Sequence, residues 1–101
     1  MKTIYIAAPF RASTPWQQEL NIRYAEEAAL GYWKRGYAAL CPHSMTRFYQ
    51  GECLDEVWLK GTIELMKQCD VVVFLEGWYA SEGCREEERI ARENDMEIWY
   101  A

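Results

Sequence analysis

Asp70-Val71-Val72-Val73-Phe74-Leu75 decides the fold. An apolar run with no polar alternation has no face to give to water, so it reads as a strand buried on both sides. Such strands belong to parallel sheets covered by helices above and below. Downstream, past a turn at Gly77, a helical period runs from about Glu82 to Glu93, and Met96 to Tyr100 closes as a strand. Upstream, a helix is expected over about Asp55 to Gln68, with Leu54, Trp58, Leu65 and Cys69 on one stripe. Before it stand the strand Tyr37–Cys41, closed by Pro42, and Ser44 to Cys53, which has no period and reads as the longest loop.

The chain opens with Thr3–Ala7, a further fully buried strand, stopped by Pro9. The helix that follows takes Ser13 or Thr14 as N-cap and Pro15 at its first position. Trp16, Leu20, Tyr24, Ala28 and Tyr32 recur at i+4, Arg35 lies in the last turn and Gly36 stops it. The order β-α-β-α-β-α-β predicts an α/β domain spanning 1–101, a small flavodoxin-like or Rossmann-like three-layer sandwich. Its four-stranded parallel sheet is expected in the order 2-1-3-4. Ligands of such sheets bind beyond the carboxyl ends of the strands, at the switch point between strands 1 and 3. Three segments should therefore meet at one crevice: Ala8 to Arg11, Pro42-His43-Ser44, and Glu76 to Gly83.

Composition narrows the partners. In 101 residues, 50% hydrophobic and 15% aromatic, disorder is excluded. A net charge of −5 and the lack of a basic stripe argue against a nucleic-acid polymer, although one small anion needs only a cation and a few N–H groups. Cys41, Cys53, Cys69 and Cys84 form no C-x-x-C pair and fit no zinc spacing, so no metal is expected and the thiols read as reduced. Met1-Lys2 and the apolar Thr3 to Phe10 resemble a signal peptide, but Arg11 and Gln17-Gln18-Glu19 end the run too early. Val71 to Leu75 is far too short to span a membrane, and a cytoplasmic protein is expected. No G-x-G-x-x-G or Walker motif suggests a bound cofactor.

Among the residues able to do chemistry, Glu87 stands out by position. Glu86 and Glu88 suit a solvated helix face, whereas Glu87 falls in the stripe of Gly83, Cys84, Ile90 and Ala91. A carboxylate there needs a partner, and the first turns of a helix favour its anionic form, as a nucleophile requires. Tyr5, on the first strand, is placed to reach it; the alternative is a core tyrosine bonded to a carbonyl. Ser81 reads as an N-cap or, with the backbone at Gly83 and the cation Arg11, as a phosphate seat. His43 suits ligand contact or acid–base work, or a bond to backbone. Trp78-Tyr79 are expected to line a pocket for a planar base. Asp55, Glu56 and Glu64 read as solvated helix acids.

Lys2-Thr3-Ile4-Tyr5 with Ala8 and Phe10, Asn21, Gln68-Cys69-Asp70-Val71-Val72-Val73, Ser81-x-Gly83, and Glu87 with Ala91 together resemble the nucleoside 2-deoxyribosyltransferase family, most closely its short phage and bacterial branch. The resemblance covers essentially the whole chain. It implies that Glu87 attacks the anomeric carbon of a nucleoside sugar, that Tyr5 orients it, and that a second base or water takes the sugar. It implies a site completed by a neighbouring subunit, hence a homodimer or larger oligomer, which the many aromatics also favour. Two positions depart from the pattern. Ser81 stands where deoxyribosyltransferases carry an acid for the free 5′-hydroxyl, as in relatives that hydrolyse nucleoside 5′-monophosphates. Thr62 stands where active relatives carry an aspartate that handles the leaving base, so Asp55, Glu64 or His43 must substitute or catalysis is weak.

The expected function is thus cleavage or transfer at the N-glycosidic bond of a (deoxy)nucleoside or its 5′-monophosphate. The alternative is a nucleotide-binding module using the same pocket without turnover. A flavin or redox role rests on fold analogy alone.

Overall fold

A computed structural model describes residues 1–101. The strands are β1 (Thr3–Ala7), β2 (Ala38–Leu40), β3 (Val71–Phe74) and β4 (Glu97–Tyr100). The helices are α1 (Pro15–Lys34), α2 (Pro42–Met45), α3 (Asp55–Lys67) and α4 (Glu82–Glu93), with a 3₁₀ turn at Trp78–Ala80. All pairings are parallel and the sheet order is β2-β1-β3-β4, the expected doubly wound topology. In register, Ile4, Tyr5, Ile6 and Ala7 of β1 face Val71, Val72, Val73 and Phe74 of β3. The carboxylate of Asp70 pins the start of that ladder by accepting from Thr3 N (2.8 Å) and Thr3 Oγ1 (3.1 Å). Those bonds hold its carboxyl below the usual carboxylate range.

The two faces of the sheet are covered differently. Ile4, Ile6, Ala8, Val71, Val73 and Leu75 pack with Ala25 and Ala29 of α1. Tyr5, Ala7, Val72 and Phe74 point the other way, to Met66 of α3 and Cys84 and Ala91 of α4. This is the period-2 alternation of a strand sorting its side chains between two helical layers. It sends Tyr5 toward α4. No helix is long and apolar enough to cross a membrane.

Three sequence expectations are corrected. The i+4 row of α1 is not its buried face: Trp16 is 61% exposed and Tyr24 is exposed, while Ile22, Ala25 and Ala29 are buried. Each i+4 step rotates about 40° around a helix of 3.6 residues per turn, so a long i+4 row leaves the core. Small alanines, rather than the aromatics, let α1 approach the sheet. In α3 the buried residues are Ile63 and Met66, with Leu54 and Leu65 exposed, and the first half of that helix lines a cavity through Asp55, Glu56, Trp58, Leu59 and Thr62. The expected loop from Ser44 is also interrupted, as α2 carries the chain through Met45. Beyond α2, Arg47 ties the segment to α1 through Glu19 and Glu26, and Ser44 Oγ donates to Glu26 at 2.6 Å.

The alanine face of α1 gives a direct check. Ala25 is wholly buried, so Ala25→Leu should overpack the α1–sheet contact and lower stability by about 1–3 kcal/mol in denaturant unfolding. Trp16→Ala, on the discarded row, should change it by less than about 0.5 kcal/mol.

Candidate active site

The carboxyl ends of β1 and β3 open onto a cavity of about 770 Å³. Its walls come from the β1–α1 connection (Ala8 to Arg11), the start of α2 (Pro42, His43), the first turns of α3, and Gly77 to Glu87. The crevice is therefore where a sheet of this order puts it. Gly77 makes the turn out of β3 with φ +94°, a left-handed conformation suited to glycine.

At the floor of the cavity, Tyr5 Oη donates to Glu87 Oε2 at 2.5 Å. Tyr5 is fully buried and Glu87 is 7% exposed. Two periodicities make the pair: Tyr5 lies on the sheet face that looks at α4, and Glu87 shares the buried stripe of α4 with Cys84 and Ala91. Glu87 Oε1 takes no hydrogen bond from the chain, although Glu87 lines the cavity. Burial pushes the Glu87 carboxyl up to about 7, and the Tyr5 hydrogen bond pulls against it. The anionic form expected from the helix terminus is thus outweighed by desolvation, and at neutral pH the group sits near its midpoint. Burial and the adjacent carboxylate raise the Tyr5 phenol well above its ordinary value, opposed by the neighbouring Thr62 hydroxyl, so Tyr5 stays a hydrogen-bond donor. Burial, then Glu87, pushes the Cys84 thiol up to about 12, which leaves it unreactive.

Ser81 caps α4, its Oγ accepting from Cys84 N at 3.2 Å, and it lines the cavity with Gly83. Ala8 and Phe10 line it too, with Phe10 edge-on to the His43 ring. Arg11 reaches the cavity but is not free: its guanidinium pairs with Asp55 at 3.0 Å across the mouth. His43 is buried, with Nε2 at 3.0 Å from Pro9 O. A carbonyl only accepts, so Nε2 carries the proton, and burial holds the ring below its ordinary pKa, in the neutral form. His43 thus lines the cavity with its ring bonded to backbone. Thr62 lines the cavity beside Tyr5, and its Oγ1 donates to Leu59 O at 3.1 Å.

Trp78 and Tyr79 do not line the cavity. Trp78 packs on Phe74 and Tyr100 at the β4 side of the sheet, because the 3₁₀ turn at 78–80 carries it away, and Tyr79 is exposed. Glu64 is also remote, paired at the surface with Lys67. The aromatic wall is instead Trp58, which the sequence places on one stripe with Leu54, Leu65 and Cys69. Its Nε1 is the one buried side-chain N or O atom with no partner. The signal was present in the spacing: Asp55, Trp58, Leu59 and Thr62 form an i, i+3, i+4, i+7 face, all of it cavity wall. No three His, Cys, Asp or Glu side chains converge as a metal site requires.

Fold and site together define a Rossmann-like α/β domain with a buried carboxyl–phenol pair under a cavity at its switch point. By sequence the chain belongs to a family described as a domain of unknown function, DUF7768, whose model matches residues 2–101. No curated protein matches it.

The raised Glu87 carboxyl has a thermodynamic consequence. The unfolded chain releases this proton near 4.5, while the folded chain holds it until about 7. Stability contributed by this group is therefore lost as pH rises between those values and is constant above them, a loss of about 3 kcal/mol. Glu87→Gln keeps an acceptor for Tyr5 and removes the charge. It should be more stable than the parent at pH 8 by about 1–3 kcal/mol, and the excess should vanish near pH 4 in urea titrations.

Proposed function

We propose that this protein breaks the N-glycosidic bond of a nucleoside or nucleoside 5′-monophosphate and passes the sugar to water or to a second base. The observation that carries the reading is the Tyr5–Glu87 pair, a buried carboxyl held by a phenol under a cavity of nucleoside size. In this mechanism Glu87 Oε1 attacks the anomeric carbon, the bond to the base breaks, and a glycosyl ester forms. Water or an acceptor base then takes the sugar and regenerates the carboxylate, the logic of retaining glycosidases. Tyr5 fixes the rotamer of Glu87 and tempers its basicity. Ser81 and Gly83 border the sugar, and Arg11, paired with Asp55 through one Nη, has further N–H groups with which to meet a phosphate. The resemblance to nucleoside 2-deoxyribosyltransferases supports the same reading.

One observation favours a second reading, a nucleotide-binding module without turnover. Thr62 offers a hydroxyl already committed to Leu59 O and no proton for a departing base. On either reading we take the protein to be cytoplasmic and at least a homodimer, with Trp16, Trp33 and Tyr79 as large aromatics left exposed. Light scattering at micromolar concentration should give a mass of two chains or more; a monomer contradicts the dimer.

Turnover is tested by incubating the protein with nucleosides and their monophosphates and separating free base by chromatography. Base release should rise with pH through about 7, as Glu87 ionises, and then level. Glu87→Gln should abolish it. Tyr5→Phe should slow it about ten- to a hundredfold and move the midpoint upward, because the bond it removes favours the carboxylate. Release that survives Glu87→Gln rules out the nucleophile, and no release from any substrate leaves the binding module.

A further inference from the structure

The cavity combines a nucleophile with no proton donor and an acidic rim. Of the side chains lining its interior, His43 is neutral and bonded to Pro9 O, the Tyr5 phenol is raised and bonded to Glu87, the Cys84 thiol is pushed up to about 12, and Thr62 offers only a hydroxyl bonded to Leu59 O. The one buried carboxyl is Glu87 itself. A neutral base leaving as an anion needs a proton in the transition state, and nothing on the cavity wall is built to give one. The charges at the rim point the same way. Asp55 neutralises Arg11, Arg89 pairs with Glu86 from outside the cavity, and Glu56 and Glu82 take no basic partner. Arg11 is the cavity's one basic side chain apart from the neutral His43, and Asp55 offsets its charge.

Resting on the reading of Glu87 as nucleophile, we propose that the substrate is an unphosphorylated nucleoside whose base carries a fixed positive charge, such as a pyridinium riboside. The base of such a compound departs without protonation. Glu87 Oε1 bonds to C1′ while the C1′–N bond breaks, and the bonding pair goes to the ring nitrogen and cancels its charge. Water then attacks C1′, the ester pair returns to Glu87 as carboxylate, and one proton passes to solvent. The products are neutral base and free sugar, with one proton released per turnover.

Three features suit a cationic ring. Phe10 and Trp58 supply aromatic surface to the cavity wall, and aromatic rings attract a planar cation. Glu56 and Glu82 raise its local concentration at the mouth. The ring charge, brought close to Glu87, also favours the ionised carboxylate that burial disfavours. A 5′-phosphate meets the opposite field, with Glu82 beside Ser81 and Asp55 holding Arg11.

The test measures kcat/KM for nicotinamide riboside, its 5′-monophosphate, its neutral 1,4-dihydro form and adenosine, with Glu87→Gln as control and the Glu56→Gln/Glu82→Gln double variant as probe of the rim. The pyridinium riboside should exceed both neutral nucleosides by at least about a hundredfold, the gain from a leaving group that needs no acid. Its monophosphate should be at least about tenfold poorer. The double variant should raise KM for the pyridinium riboside about tenfold and affect that of adenosine much less, because the removed charges attract only the cation. Equal or faster cleavage of adenosine or of the monophosphate, silenced by Glu87→Gln, overturns this substrate class and leaves the glycosidase standing. An unchanged KM for the cation in the double variant overturns the role of the rim. No release from any of the four compounds overturns both readings together.

Discussion

Everything at this site depends on a carboxyl group that is almost wholly buried at the floor of a cavity. A buried charge costs several kcal/mol unless it is paired, and the only partner given to Glu87 is a phenol. A lysine or arginine there would settle the group as a permanent anion and lock it in an ion pair. A phenol donates one short hydrogen bond, leaves the second oxygen unbound, and lets burial hold the pKa near neutrality. Stability is given up to hold the group in that state, the kind of perturbation that clusters at functional sites.

The rest of the fold supplies the geometry this requires. Tyr5 stands on β1, an interior strand whose backbone is bonded on both sides, and such a strand has little freedom to shift. Its hydroxyl is therefore a fixed point. α4 is held over it by Cys84 and Ala91 and started by the Ser81 cap, so Glu87 arrives at a set height above the sheet. The doubly wound order separates the helix layers and leaves the crevice between β1 and β3 uncovered. Asp70, at the far end of the same ladder, fixes the register on which that alignment rests.

Topology and the Tyr5–Glu87 contact were legible in the sequence, because both follow from period. Val71–Leu75 and Thr3–Ala7 could only be strands buried on two faces, and Glu87 could be separated from Glu86 and Glu88 by its place among Cys84, Ile90 and Ala91. What failed was the choice among aromatics. Trp16, Tyr24 and Leu54 look like core residues by type and prove exposed, while alanines do the packing on α1. Trp78 sits beside the site in sequence yet is turned away by a 3₁₀ turn that no local pattern announced. Trp58 was hidden for the converse reason: its helix face carries Asp55 and Thr62, so a cavity wall looked like a broken hydrophobic stripe. The ionisation of Glu87 was misjudged because a helix terminus is visible in sequence and depth of burial is not.

Thr62 and the acidic rim are usefully considered as one design. Breaking an N-glycosidic bond requires that charge be removed from the departing nitrogen, by a proton delivered at the moment of cleavage or by a positive charge the ring already holds. A site built for the first route places a carboxylic acid or a histidinium beside the base; here burial holds the histidine neutral, its Nε2–H is bonded to the Pro9 carbonyl, and the position on α3 beside Tyr5 is a threonine. A site built for the second needs no acid but must attract a cation, and carboxylates with no basic partner at the mouth do that. A proton donor set within an acidic rim would be poorly compatible with a cation, and an acid-free pocket with a basic rim would bind phosphates without cleaving them. The missing acid and the negative rim each have several explanations alone, but a cationic leaving group accounts for both.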